Sequence, residues 1–242
     1  MSNADPYTFL KTLLAKDEAE AYAGAAKAAE NKADTPLIIT LSMDYGSTGD
    51  AIARKLSECL GIPLYDREIL ELLSKKAKLE TFKLEPHDEN VSAGIATFLY
   101  SLLTGTGGDL DTYRRSLFET VLDLAKRDAL LVGRGAHLIL SGKKVFRLRV
   151  VGSKLVCAKR ISEATGMPIL EAERLVYEVN NKRHKAIDNL FSDSYEHCSL
   201  EFAKNFDLII NTDHISADDA VPIILFAMRQ MGFDLSRAAT KA

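Results

Sequence analysis

Short uninterrupted apolar runs alternate with longer amphipathic stretches along most of this chain, and that alternation predicts its architecture. "LIITLSM" (37–43), "IPLYD" (62–66), "ALLVGRG" (129–135), "KVFRLRVV" (144–151) and "FDLIIN" (206–211) read as strands. Runs apolar throughout suit strands of a parallel sheet, which are buried on both faces. Between them the period changes to that of a helix. Ile52, Leu56, Cys59 and Leu60 fall on one stripe that Gly61 ends, and Tyr113, Leu117, Val121 and Leu124 fall on another. "REILELLSKKAKL", "SKLVCAKRISEA" and "MPILEAERLVYEVNNKRHKAI" read as further helices, with Pro168 in a first-turn position of the last. The closing helix "SADDAVPIILFAMRQM" has Ser216 and Asp219 at capping-box spacing, and Pro222 must kink it or delay its start. Strand and helix in alternation imply an α/β domain with a parallel sheet, whose ligands bind beyond the carboxyl ends of the strands.

Two stretches depart from this rhythm. Residues 1–34 are rich in Ala, Lys and Glu, with Phe9, Leu10, Leu13 and Leu14 clustered, and predict a helical appendage that docks on the domain or on a second subunit. A homo-oligomer is therefore left open. Residues 78–109, with Pro86, the apolar piece "AGIATFLYSLL" and the glycine-rich "TGTGGD", read as a peripheral insert containing at least one helix.

Composition narrows the function classes. A formal net charge of −3 and a pI near 6.0 lack the basic footprint of sequence-independent nucleic-acid binding, whereas a few local arginines suffice for a small anion. No run approaches the 18 or so apolar residues of a membrane span, and "MSNADPYTFL" lacks the basic start and apolar core of a signal peptide. The three cysteines, Cys59, Cys157 and Cys198, are scattered, with no CxxC pair and no histidine pair at helical spacing. A reduced, cytoplasmic setting is expected, with no metal site of the His/Cys type.

The chemistry-bearing segments fall at the predicted carboxyl ends of strands: "DYGSTGD", "GRGA" and "GSKLVCAKR". A loop of small residues between strand and helix lets backbone N–H groups approach anionic oxygens, and the helix start adds its positive end. An arginine between two glycines, Arg134, is poorly explained by core packing and suits bidentate binding of a phosphate.

In this order and spacing the segments, together with "YGS.G..IA.KL...LGIP.YD.EI", "LLVGRGA..IL", "AKRI" and "FDLIINT..IS", resemble the cytidylate kinase-like family, a branch of the P-loop nucleoside monophosphate kinases. The likeness runs from about Pro36 to Gln230. It implies an appendage at 1–34 and a P-loop kinase-like α/β domain at 35–242, with a helical acceptor-side insert at about 67–111 and a lid at about 180–204. It also implies ATP and Mg²⁺, and transfer of a phosphoryl group to a small acceptor such as a nucleoside monophosphate. By the same resemblance Gly46, Ser47, Thr48, Gly49 and Asp50 face the donor's phosphates, Asp66, Arg67 and Arg134 face the acceptor, and Arg160 and Arg183 act from the lid side. Phosphoryl transfer needs mainly positioning and neutralisation of charge, so arginines and Mg²⁺ carry it.

The loop nonetheless differs from a Walker A sequence, G-x-x-x-x-G-K-[ST], because Asp50 and Ala51 occupy the end that carries lysine and hydroxyl. Met43 and Thr48 also depart from the family pattern, and so do Cys157, where arginine is common, and Asn180 or Asn181, where aspartate is expected. A carboxylate about 4 Å from a phosphate charge costs roughly 4 kcal/mol at an effective dielectric of about 20, on the order of a thousandfold in affinity. Four readings of Asp50 follow: it repels phosphate, it points away along its helix, it binds Mg²⁺ that in turn binds phosphate, or it caps its helix. The first leaves as the rival function a catalytically impaired protein that binds a nucleotide or another anion, or serves regulation or assembly.

Overall fold

The computed structural model describes residues 35–76 and 110–235. The predicted appendage at 1–34 and most of the insert, 77–109, lie outside the described residues. Five strands, β1 (Ile38–Met43), β2 (Leu64–Tyr65), β3 (Ala129–Val132), β4 (Phe146–Val151) and β5 (Leu208–Asn211), form one parallel sheet in the order β2-β3-β1-β4-β5. The helices are α1 (Gly49–Leu60), α2 (Arg67–Lys76), α3 (Leu110–Leu124), the single turn α4 (Ala136–Ile139), α5 (Lys154–Thr165), α6 (Ile169–Phe191) and α7 (Ala217–Gln230).

Successive strand residues point to opposite faces of the sheet, so an all-apolar strand feeds two cores at once. Ile39, Leu41 and Met43 of β1 join Leu130, Val132, Phe146, Leu148 and Val150 beneath α1 and α7. Ile38, Ala129 and Leu131 face the other way, against Ile69 and Leu73 of α2, Tyr113, Leu117 and Val121 of α3, and Ile187, Leu190 and Phe191 of α6. A third, small cluster, built on Cys157, Ala158, Ala172 and Val176, holds α5 to α6 and packs against Tyr45.

Two strands depart from the apolar pattern. β4 places Arg147 and Arg149 on one face; Arg147 grips Asp207 with Nε to Oδ2 at 3.0 Å and Nη2 to Oδ1 at 2.6 Å, tying β4 to the start of β5. β5 is an edge strand with Ile209 exposed, so it is not buried on both faces as its sequence suggests. The helix ends follow their local signals. Gly61 closes α1 in the left-handed conformation (φ 60°), and Ser216 Oγ accepts the Asp219 amide at 3.1 Å. Pro222 does not delay α7, which starts at Ala217 and carries the proline inside it, on the exposed side. Pro168 sits one residue before α6, as its N-cap, rather than in its first turn.

One turn couples backbone conformation to packing. Gly133, Arg134 and Gly135 all have positive φ (71°, 54° and 68°), and a Cβ on Gly135 would lie 2.2 Å from the Phe191 ring. Gly135→Ala therefore adds left-handed strain and a clash with a buried aromatic, and should destabilise the domain by about 2–5 kcal/mol, read as a shift in the denaturation midpoint at unchanged slope.

Candidate functional site

β1, β3 and β2 are neighbours, and the chain leaves their carboxyl ends as the 44–48 loop, the Gly133–Gly135 turn and Asp66 respectively. The order of the sheet thus gathers residues far apart in sequence onto one rim.

The 44–48 loop is held from several sides. Gly46 has φ 83°, and a Cβ there would stand 2.8 Å from the Cys157 carbonyl oxygen, so α5 presses directly under the loop. Gly49 has the same constraint from β1, since its Cβ would lie 2.6 Å from Met43 Sδ. Both hydroxyls turn onto the backbone: Ser47 Oγ donates to Asp44 O at 2.8 Å and Thr48 Oγ1 to Ser47 O at 2.6 Å. Thr212, fully buried after β5, donates its hydroxyl to Ser47 O at 2.8 Å. Thr48 occupies the N-cap of α1 in a left-handed conformation (φ 60°) and gives no side-chain cap.

Asp50 is the second residue of α1, exposed, and makes no hydrogen bond or ion pair among the described residues. It does not cap the helix, so of the four sequence readings repulsion, a side chain turned away along the helix, and metal assistance remain.

The arginines occupy distinct positions. Arg160 of α5 donates Nη1 to Thr212 Oγ1 at 3.1 Å and to Gly46 O at 3.4 Å, and Nη2 to Thr212 O, so its guanidinium braces the loop against the end of β5. Arg183 of α6 donates Nη1 to Met43 O at 2.6 Å, at the mouth of the loop. Its remaining donors have no partner among the described residues. Burial pulls the Arg183 pKa down from its ordinary value, and Asp50, Asp44 and Asp66 oppose that pull. Asn180, one turn earlier on α6, accepts the Tyr45 amide at 2.8 Å, so α6 holds the loop at two points. Arg134 and Arg67 form no hydrogen bond or ion pair among the described residues, and both act on the charge of Asp66. Burial raises the Asp66 carboxyl above the usual carboxylate range, with Asp50 adding to the rise.

Sequence reasoning missed the support beneath the loop. Arg149 of β4 is 1% exposed and donates Nη2 to Asp44 Oδ1 at 2.6 Å, while its Nε and Nη1 have no partner. Glu201 Oε1 stands 3.7 Å from the same nitrogen. His137, 2% exposed, lies with Nδ1 3.3 Å from Ser42 Oγ and stacks on Phe206. Burial and the charges of Arg149 and Arg147 push its pKa down to about 3. The available signal was in "FRLRVV", where two arginines at a spacing of two put both charges on one face of a strand.

The described residues include no group of three or more His, Cys, Asp or Glu able to hold a metal ion, and no helix long and apolar enough to cross a membrane. Mg²⁺ needs less than a protein cage, because it is usually held by one or two carboxylates together with substrate phosphates. Asp50 is a carboxylate available for that arrangement, whereas Asp44 is paired with Arg149.

Comparison with known proteins places the chain among related folds. The profile of the cytidylate kinase-like family matches residues 38–214. No curated protein matches. An uncharacterized protein from Eubacterium ventriosum ATCC 27560 superposes with a TM-score of 0.58 at 22% identity, over 80% of this chain and 98% of that one, and so shares its fold. A shikimate kinase from Acinetobacter baumannii in complex with shikimate gives 0.44 at 18% identity, over 83% and 97% of the two chains. A gluconokinase from Sinorhizobium meliloti 1021 gives 0.40 at 14%, over 81% and 94%.

The buried polar groups make two measurable predictions. Asp44→Ala removes the hydrogen bond to buried Arg149 and leaves it only the exposed Glu201 at 3.7 Å, and should cost roughly 2–4 kcal/mol in chemical denaturation, part of which Asp44→Ala/Arg149→Met recovers because the poorly paired guanidinium is gone. His137, with a folded pKa of about 3 against 6.5 for the free side chain, binds its proton in the unfolded chain first. Its contribution to stability is present above pH 6.5 and is lost as pH falls toward 3, at about 1.4 kcal/mol per pH unit. His137→Phe should flatten the measured slope in that window by about one proton.

Proposed function

The chain belongs to the cytidylate kinase-like family, and on that premise we propose that it is a nucleotide-dependent phosphotransferase, taking ATP with Mg²⁺ and moving a phosphoryl group onto a small anionic acceptor. The observation that carries this reading is Arg183, which reaches from α6 to the Met43 carbonyl at 2.6 Å and keeps its other donors unengaged beside Asp50. A Walker A loop supplies its own lysine at this point. Here the loop supplies a carboxylate, and the cation comes from the helix above it.

Each group then has a physical task. Loop amides and the start of α1 offer N–H donors and a positive helix end to the donor's phosphates. Arg183, with a planar fork of donors, meets the charge of the transferring group. Asp50 is the residue to hold Mg²⁺, which when bound neutralises phosphate charge. Arg160 keeps the loop in shape, because its guanidinium is committed to Gly46 and Thr212. Arg134 and Arg67, unengaged across the rim, take the acceptor.

A second reading, binding of a nucleotide without turnover, draws on that commitment of Arg160 and on Cys157 filling the space beneath the loop. Calorimetric titration separates the readings. MgATP should bind, and Arg183→Ala should weaken it by about 1.5–3 kcal/mol, the range of a charge-assisted hydrogen bond. Asp50→Asn should tighten ATP in the presence of a chelator and loosen MgATP, each by about tenfold or 1.4 kcal/mol. MgATP binding with no ADP produced against any acceptor would favour the non-catalytic reading, and absence of binding in a folded sample would overturn both.

A further inference from the structure

We propose that the acceptor is a hydroxyl-bearing small monoanion, such as a hydroxylated carboxylate, and that Asp66 is the general base that takes the proton of its attacking hydroxyl. This deepens the phosphotransferase reading and rests on it, and it departs from the nucleoside monophosphate expected by resemblance.

Position supplies the first argument. Asp66 follows β2 directly, β2 pairs with β3, and β3 pairs with β1, whose end is the phosphate loop. Adjacent strands lie about 4.8 Å apart, so Asp66 stands two strand spacings, on the order of 10 Å, from the loop. Arg134 comes off the strand between them. An acceptor held by Arg134 therefore lies between a carboxylate on one side and the donor site on the other.

The state of the side chain supplies the second. Asp66 is half-buried, yet its carboxylate makes no hydrogen bond or ion pair among the described residues. Its backbone is the part engaged in local structure: the Asp66 amide donates to Glu68 Oε2 at 3.0 Å, and its carbonyl accepts the Ile69 amide at 3.4 Å. A buried acceptor group without a donor costs free energy, so a half-buried carboxylate that faces arginines but forms no hydrogen bond among the described residues is poorly explained as support for the fold. The arginines that would neutralise it, Arg134 and Arg67, are themselves unengaged, and Arg134 is held in a left-handed conformation (φ 54°) between two glycines that share it. Strain of that kind at a rim residue is characteristic of sites.

Charge supplies the third. Arg134 and Arg67 face Asp66 on this side, while Arg183 faces Asp50 and Asp66 from the donor side. With Arg183 given to the transferring group, Arg134 and Arg67 against Asp66 leave one positive charge in excess, which a monoanion matches and a phosphate of nearly two negative charges exceeds. A phosphate acceptor also attacks through an oxygen that is already ionised and has no use for a base, whereas a hydroxyl has a proton to lose.

The step balances. The hydroxyl oxygen forms a bond to the γ-phosphorus, the bond from that phosphorus to the β–γ bridging oxygen breaks with its electron pair passing to ADP, and the hydroxyl proton goes to Asp66. Burial, the largest effect, together with Asp50 and Glu68 raises the proton affinity of Asp66, while Arg134 and Arg67 lower it. The base form is thus lost on the acid side at a pH above the ordinary aspartate value.

The test uses the full chain with MgATP and two acceptor panels, hydroxy acids (glycerate, lactate, quinate) and nucleoside monophosphates (CMP, UMP, AMP), followed by ³¹P NMR, with calorimetry for MgATP alone. The expected result is a phosphate monoester from the first panel and no nucleoside diphosphate from the second. Asp66→Asn should then lower kcat by about 10²–10⁴-fold with KM little changed, abolish the acid limb of the pH–rate profile, and raise Tm at pH 7, where a merely structural role would lower it. Asp66→Glu should restore part of the rate. Nucleoside diphosphate formation that survives Asp66→Asn overturns the proposal. MgATP binding with no product from either panel overturns it while leaving the donor half of the phosphotransferase reading intact, and failure to bind MgATP overturns both.

Discussion

The ion pair between Arg149 and Asp44 is the constraint on which the site depends. Arg149 projects from the middle of the sheet, is 1% exposed, and among the described residues closes its one hydrogen bond at 2.6 Å on Asp44, the first residue of the 44–48 loop. Breaking a buried pair leaves an uncompensated charge, whereas replacing both partners by apolar groups is often neutral, so such a pair is weak evidence for stability. Its effect here is positional. Asp44 is fixed relative to the sheet, and the loop that follows inherits that fixed origin before Arg160, Thr212, Asn180 and Arg183 secure the rest of it.

This arrangement replaces one property of the usual phosphate loop. A lysine at the start of the helix carries its charge on the same element that carries the amides. In this chain the cation is on α6 and the carboxylate on α1, so the positive charge at the loop depends on where α6 lies. The exposed Asp50, which forms no hydrogen bond or ion pair among the described residues, is consistent with that division.

Much of the fold was legible because the signals were local and redundant. Every strand was visible as an apolar run, and helix ends announced themselves through Gly61 and through Ser216 with Asp219. The misplaced details have physical reasons. Pro222 is tolerated inside α7 because it lies on the exposed side of the helix, and β5 was read as buried although an edge strand covers one side less. In the site, glycine-flanked Arg134 and the small-residue loop stood out because few structural demands produce them. Arg149, His137, Asn180 and Thr212 did not, because their importance comes from contacts across 95 to 165 positions of sequence that the tertiary fold alone brings together. Even so, the paired arginines of "FRLRVV" were a visible anomaly in a strand otherwise made for burial.

The long helix α6 touches both halves of the rim. Near its middle Asn180 and Arg183 hold the 44–48 loop, and at its end the Phe191 ring lies against Gly135, so close that no Cβ fits between them. Eight residues, about 12 Å of rigid rod, separate Arg183 from Phe191. A displacement of the helix caused at one end is therefore delivered to the other, and under the proposed function donor and acceptor binding share a single mechanical element. Thermodynamic linkage makes that sharing symmetrical: by whatever factor the donor alters the grip on the acceptor, the acceptor alters the grip on the donor by the same factor.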